Sequence, residues 1–239
     1  DRLRSRGLGD VYKRQGVTTQ NGYEWTECEW HLGERFQSRN EQPFHVVVYD
    51  FGVTRDQLRL LAERGARVTV VPANSAAIEV LALNPNGIFL SAGPGDPSVL
   101  SNITLEIQKL IDSRVPIFAV GLGHQLLAIA LGGKCEKLFH GYHGANHPVQ
   151  DLQSGAVMIT QQNQNFTVIE NTLPKNVVVT YRSLVNGGIQ GLSLSNQIAY
   201  SFQGYPSGDA KFLFDQLIDA MSANLSLIHI SEPTRPEPI

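Results

Sequence analysis

Chemistry in this chain would be expected at residues 116–133, PIFAVGLGHQLLAIALGG. An apolar run over 117–120 stops at Gly121-Leu122-Gly123, and Leu126, Leu127, Ile129 and Ala130 then fall on one helical face. The pattern predicts a buried strand, a tight turn and a helix. At the carboxyl end of such a strand, a glycine-flanked turn can hold a nucleophile up into a cleft. The residue at the apex is Gly121, which has no side chain to offer. Nearby, Gln125 could hydrogen-bond a polar ligand. His124 could act as a base, although a histidine in the first turn of a helix is more often structural.

Other segments carry weaker signals. SAGPGDP, residues 91–97, follows an apolar run, and its two glycines (Gly93 and Gly95) and two prolines fix a rigid loop. Its backbone N–H groups could stabilise a developing negative charge; a tight turn before a helix accounts for the same residues. Asn163 and Phe166, in QQNQNF, are expected at the start of a strand after a polar turn, and Tyr205-Pro206-Ser207 follows a further strand. His140, His143 and His147 crowd FHGYHGANHPV. Three such histidines could suggest a metal, but no carboxylate or cysteine lies close in sequence. A glycine-rich structural loop and no metal are expected there. Cys28 and Cys135 are far apart and have no metal-ligand spacing, which suits a reducing, cytoplasmic setting without disulfides.

The elements that must position these residues follow from the hydrophobic pattern. The chain has 239 residues, 42% hydrophobic and 17% charged, with a net charge of −3, as in a globular domain. No basic patch points to nucleic acid. No apolar run approaches the roughly 20 residues needed to span a membrane. Residues 1–15 are basic and lack apolar periodicity, and the carboxyl-terminal LIHISEPTRPEPI carries three prolines. Both ends, 1–15 and 225–239, resemble translated adapter sequence and are set outside the fold as non-native or disordered. Residues 16–42 are polar and read as a linker from a preceding domain, too short for a core of their own.

The body, 43–224, alternates elements. FHVVVY (44–49), RVTVV (67–71), GIFLS (87–91) and 117–120 read as strands, with helices over 54–65, 75–83 and 102–111 between them. Strands alternating with helices over short loops predict an α/β fold with a parallel sheet and right-handed crossovers. Beyond Gly133, strands are expected over 134–139, 157–161, 166–170, 177–181, 189–194 and 198–202, some as antiparallel additions, before a closing helix over 208–223.

The ordered motifs VTTQNGYEWTE, PFHVVVYDFG, NPNGIFLSAGPGDP, PIFAVGLGHQLLAIALGG, HGYHGANHPV, QNQNF and IAYSFQGYPS resemble a class I glutamine amidotransferase domain over residues 16–224. GPGDP and GHQLLA are shared across that family. GANHPV and VTTQNGYEWT are similar to the small-subunit branch of carbamoyl phosphate synthetases.

The resemblance implies a mostly parallel central sheet flanked by helices, with added antiparallel strands. It implies hydrolysis of glutamine to glutamate and ammonia by a cysteine at the elbow, a histidine that activates it and a glutamate that orients the histidine. It also implies a partner, the large synthetase subunit, which would use the ammonia and ATP to make carbamoyl phosphate for arginine and pyrimidine synthesis. No cofactor is implied for this chain itself.

The three catalytic positions fall on Gly121, Tyr205 and Ser207, and the family's histidine-glycine pair before Phe166 is Gln164-Asn165. The glutamine-binding positions that remain are Gly93, Gly95, Leu122, Gln125, Asn163, Asn165 and Phe166. A degenerate subunit without cysteine-dependent glutaminase chemistry is therefore expected. A non-catalytic module that binds a small amide such as L-glutamine is the alternative.

Overall fold

In the structure, a computed structural model describing residues 17–32, 35–39, 41–195 and 199–231, one ten-stranded sheet carries the chain. Its strands in chain order are β1 (Tyr23–Trp25), β4 (Phe44–Asp50), β5 (Ala66–Pro72), β6 (Gly87–Leu90), β7 (Ile117–Val120), β8 (Lys134–Asp151), β9 (Val157–Ile169), β10 (Val177–Ser183), β11 (Ile189–Leu194) and β12 (Ala199–Phe202). A separate two-stranded hairpin is formed by β2 (Trp30–His31) and β3 (Arg35–Phe36). The helices are α1 (Arg55–Glu63), α2 (Ala77–Ala82), α3 (Ser101–Asp112), α4 (Leu122–Ala130) and α5 (Phe212–Ser231).

The sheet order is β1-β5-β4-β6-β7-β12-β11-β10-β8-β9. The strands β5, β4, β6, β7 and β12 run parallel, and the others are added antiparallel. This is the mostly parallel, helix-flanked fold that the sequence predicts.

The central strands are apolar throughout because both of their faces are covered. Val47, Tyr49, Ile88, Leu90, Ile117 and Ala119 face a core shared with α2, α3 and α4. Their neighbours Val46, Val48, Phe89, Phe118 and Val120 face the opposite core with α1 and α5. There Phe118 stacks on Tyr200 at 4.7 Å between ring centroids and meets the Phe214 ring edge-on at 5.4 Å. From β4 the chain crosses first to β5 and then back past β4 to β6. The order therefore reverses between β4 and β6, and ligands of open α/β sheets bind at the strand carboxyl ends beside such a reversal.

Three regions differ in detail from the sequence reading. Residues 140–147, expected as a glycine-rich loop, lie inside β8, which pairs with β9 through Tyr142↔Gln164, His143↔Asn163 and Gly144↔Gln162. Asn163 and Phe166, expected at a strand start after a turn, lie in the middle of β9. Alternation explains both: Thr160, Gln162 and Gln164 are buried while Gln161, Asn163 and Asn165 are exposed. The inward row is itself polar, so hydrophobicity could not reveal the strand. Helix α5 continues to Ser231, past the expected boundary at 224.

The described residues within 16–42, the segment read as a linker, are fastened to the body. β1 pairs with β5, Thr19 N–H donates to Asp50 Oδ2 at 2.7 Å, Lys211 Nζ meets Glu29 at 2.6 Å and the Arg59 guanidinium lies 4.1 Å over Phe36. Residues 1–16 and 232–239 lie outside the described residues.

Candidate active site

Four loops at the carboxyl ends of β4, β6, β7 and β12 converge around Gly121. After β4, Asp50 is 6% exposed; its Oδ1 accepts from Gly52 N–H at 3.0 Å and Val53 N–H at 2.9 Å. These bonds set the turn into α1. After β6, Ser91 Oγ accepts from Phe51 N–H at 3.0 Å and donates to the Ala92 carbonyl at 3.0 Å, so the loops after β4 and β6 are joined. Gly93 and Gly123 sit where the backbone leaves no space: a Cβ would lie 2.0 Å from the Phe51 carbonyl oxygen and 2.3 Å from that of Leu90, respectively. Gly93→Ala and Gly123→Ala should each lower stability by about 1–3 kcal/mol, the usual cost of overpacking, seen as a lower urea midpoint with an unchanged slope.

Gly121 occupies the turn after β7 at φ +57° and ψ −111°, in the positive-φ region that side chains rarely adopt. Its N–H donates to Phe202 O at 3.0 Å and its carbonyl accepts from Gln125 N–H at 3.2 Å. The sharp strand-to-helix elbow is therefore present with nothing at its apex. A Cβ built there would lie 3.0 Å from Ala92 Cβ and 3.9 Å from Gln203 O, so a small side chain fits if Ala92 gives by a few tenths of an ångström. Leu122 opens α4 beside it; the N-terminus of a helix offers N–H groups to an anion or a developing oxyanion, although Gly123 N–H already donates to Ser91 O at 3.2 Å. Gly95, at φ +115°, completes the glycine-bearing loop on the other side.

Gln125 is 4% exposed, and its Nε2 donates to Phe166 O at 3.2 Å and Gln203 Oε1 at 2.9 Å. The structure thus brings Gln125 together with the backbone of Phe166. Asn163 and Asn165 stand on the outer face of β9, where Asn163 Oδ1 lies 2.7 Å from His143 Nδ1. The inward positions are Gln162 and Gln164, and their Oε1 atoms, like that of Gln190, have no hydrogen-bond partner among the described residues. Gln203 N–H donates to the Gln190 carbonyl at 2.8 Å, and Gln162 Nε2 lies 2.6 Å from where a Cβ on Gly204 would be. These buried amides are the feature sequence reasoning missed. Its signal was the alternation in TQQNQNF, which puts every second residue of a polar string indoors.

The two other expected catalytic positions lie in the loop after β12. Tyr205 N–H donates to Gln161 O at 2.9 Å, and its Oη shares a 2.6 Å hydrogen bond with Thr54 Oγ1. Burial raises its phenol pKa above the ordinary value, so the hydroxyl stays protonated and is a poor base. Ser207 N–H donates to Tyr205 O at 2.9 Å, and Ser207 opens a short 3-10 turn, Gly208–Ala210.

Neither remaining candidate supplies a replacement. His124 is fully buried, with Nδ1 2.8 Å from Ser201 Oγ, and burial drives its pKa down to about 3. Cys135 lies with its Sγ 3.8 Å from Gln125 O, and burial pushes the thiol up to about 12, leaving almost no thiolate near neutral pH. Among the described residues, no group of three or more His, Cys, Asp or Glu side chains could hold a metal ion.

Residues 47–219 match the class-I glutamine amidotransferase family. The carbamoyl phosphate synthase small chains of Haemophilus ducreyi and Pasteurella multocida are 50% and 51% identical to this chain over 217 and 218 residues. These alignments cover 87% and 89% of the chain but only 56% and 57% of the relatives, so the chain spans a little over half their length. A GMP synthase-type protein from Thermoplasma acidophilum shares the fold, with a TM-score of 0.69 at 20% identity, covering 78% of this chain and 98% of that one. With most of its sheet and helices inside the matched segment, this chain belongs to the class-I glutamine amidotransferase family.

Proposed function

We propose that this chain is a glutamine amidotransferase-type subunit that keeps the scaffold of its family and has lost the hydrolytic chemistry. The reading is carried by Gly121: the elbow retains its positive-φ backbone while its apex carries no nucleophile. Tyr205 and Ser207, at the positions of the family's base and its orienting acid, cannot jointly activate one. The chain would dock on a large subunit of the carbamoyl phosphate synthetase type and support carbamoyl phosphate synthesis from free ammonia. ATP would be used by that partner, in the cytoplasm, for arginine or pyrimidine formation, and this chain would need no cofactor. Among the described residues, no helix is long and apolar enough to cross a membrane.

One observation favours a second reading, in which the chain senses a small amide. Three buried amide oxygens, on Gln162, Gln164 and Gln190, lack donors among the described residues, and leaving such groups unpaired is costly. A small ligand bearing N–H groups would satisfy them. Gly93, Gly95 and Leu122 would offer N–H donors to its carbonyl, Gln125 and Phe166 would line its flank, and Asn163 and Asn165 would stand at the outer rim.

Ammonia release from glutamine, followed with and without a large synthetase subunit, tests the first reading. No release above background is expected in either case, together with partner-dependent carbamoyl phosphate formation from ammonium. Release well above background would overturn it. Glutamine binding without any partner and without turnover would favour the sensor.

A further inference from the structure

Thr54 and Tyr205 are 151 positions apart in the chain, yet their hydroxyl oxygens lie 2.6 Å apart. Thr54 immediately precedes α1, four residues beyond the end of β4, and Tyr205 lies three residues beyond the end of β12. Between β4 and β12 the sheet places β6 and β7. Neighbouring strands are about 4.8 Å apart, so the loops after β4 and β12 must bridge roughly 14 Å to meet. What they bridge is the carboxyl end of β6, which leads into residues 91–97, and that of β7, which leads into Gly121.

Both ends of the bridge are held. Thr54 N–H donates to Gln57 Oε1 at 3.4 Å, Gln57 itself being fully buried. Tyr205 is fixed by its N–H bond to Gln161 O and by accepting from Ser207 N–H, each at 2.9 Å. At the ends of the strands that the bridge spans, Gly121, Leu122, Gln125 and Gln203 are all buried.

We propose that Thr54 and Tyr205 form a crossbar that controls entry to the cleft over Gly121. With the bar in place, the start of α4 and the buried amides are withheld from solutes. When the hydroxyl pair separates, the opening leads toward the buried amides, a lining suited to a small amide. The bar thereby determines which ligands reach the site. The inference rests on the cleft being the ligand site of the protein, but it does not depend on whether that site turns over.

The test uses Gly121→Cys as a reporter in the full chain. Alkylation of the new thiol by iodoacetamide is located by peptide mass, which separates it from Cys28 and Cys135. Slow labelling is expected in the single variant. Adding Tyr205→Phe or Thr54→Val should speed it about fivefold, the effect of one ordinary hydrogen bond, while Thr54→Ser should restore the slow rate. Equal rates in all four proteins, or fast labelling in the single variant, would overturn the crossbar. Should Gly121→Cys fail to fold, amide hydrogen exchange over residues 121–125 in Tyr205→Phe and the unmodified chain gives the same reading: faster exchange supports the bar and identical exchange refutes it. Ammonia release by the unmodified chain would refute the proposed loss of chemistry without moving either readout.

Discussion

The triple variant Gly121→Cys, Tyr205→His, Ser207→Glu should release ammonia from glutamine at least a thousandfold faster than the unmodified chain. Removing an interdependent catalytic triad lowers turnover on the order of a million-fold, so even a poorly aligned restoration gives a large signal. The scaffold is suited to receive it. Gly121 already holds the φ +57° that an elbow imposes, so a cysteine inherits the strained geometry. That strain costs on the order of 1–3 kcal/mol, which the hydrogen bonds from Gly121 to Phe202 and from Gln125 to Gly121 must hold in place.

Tyr205→His also removes the hydroxyl that meets Thr54, so access and base arrive in one substitution. Each single variant should remain near background because nucleophile, base and orienting acid act as a unit. Silence of the folded triple variant would mean that the amides around Gln164 have reshaped the pocket. Gln164→His and Asn165→Gly would then be the next changes. A thousandfold rise would locate the loss of function in three side chains on an otherwise intact frame.

How much of this was legible follows from what each residue packs against. The strands β4, β6 and β7 are buried on both faces, so 44–49, 87–91 and 117–120 announce themselves as near-continuous apolar runs. The elbow was legible for the same reason: an apolar strand ending at Gly-Leu-Gly leaves few other conformations. Of the β8–β9 hairpin only the ends were, as the strands expected over 134–139, 157–161 and 166–170; its middle was not, because the buried Thr160, Gln162 and Gln164 are polar and give no period-two hydrophobic signal. β1 was hidden by its length, since three residues at the sheet edge draw their order from β5. The Thr54–Tyr205 contact could not be read from spacing at all. It exists only because the topology sets β4 and β12 on either side of β6 and β7. For Asn163 and Asn165 the motif supplied the position, and the strand then decided the face.

Unfolding stability should fall as the pH drops from about 6.5 toward 3, and His124 should be the main cause. Its ring is fully buried, and burial alone drives its pKa from 6.5 to about 3. The folded protein therefore keeps the imidazole neutral while the unfolded chain takes up a proton below 6.5. Stability is full above that value and declines by at most about 1.4 kcal/mol per pH unit until the folded group also titrates near 3. The whole window is worth roughly 4–5 kcal/mol by that conversion, a large share of the 5–15 kcal/mol typical of a domain.

His45 acts in the same direction, because burial and the nearby Arg67 lower its pKa, so His45→Asn is the necessary control. The carboxylates with depressed pKa, Glu63, Glu106, Asp151 and Glu170, lose their contribution only at more acidic pH, below their ordinary carboxylate values. Urea midpoints compared at pH 7.5 and pH 5 isolate the histidines. A drop of about 2 kcal/mol is expected in His45→Asn, and a somewhat larger one in the unmodified chain. Most of it should vanish in His124→Gln, which keeps a polar group near Ser201 without a titratable ring. An unchanged pH dependence in His124→Gln would show that the buried ring is already relieved of its isolation, for instance by a group that meets its Nε2, which has no partner among the described residues.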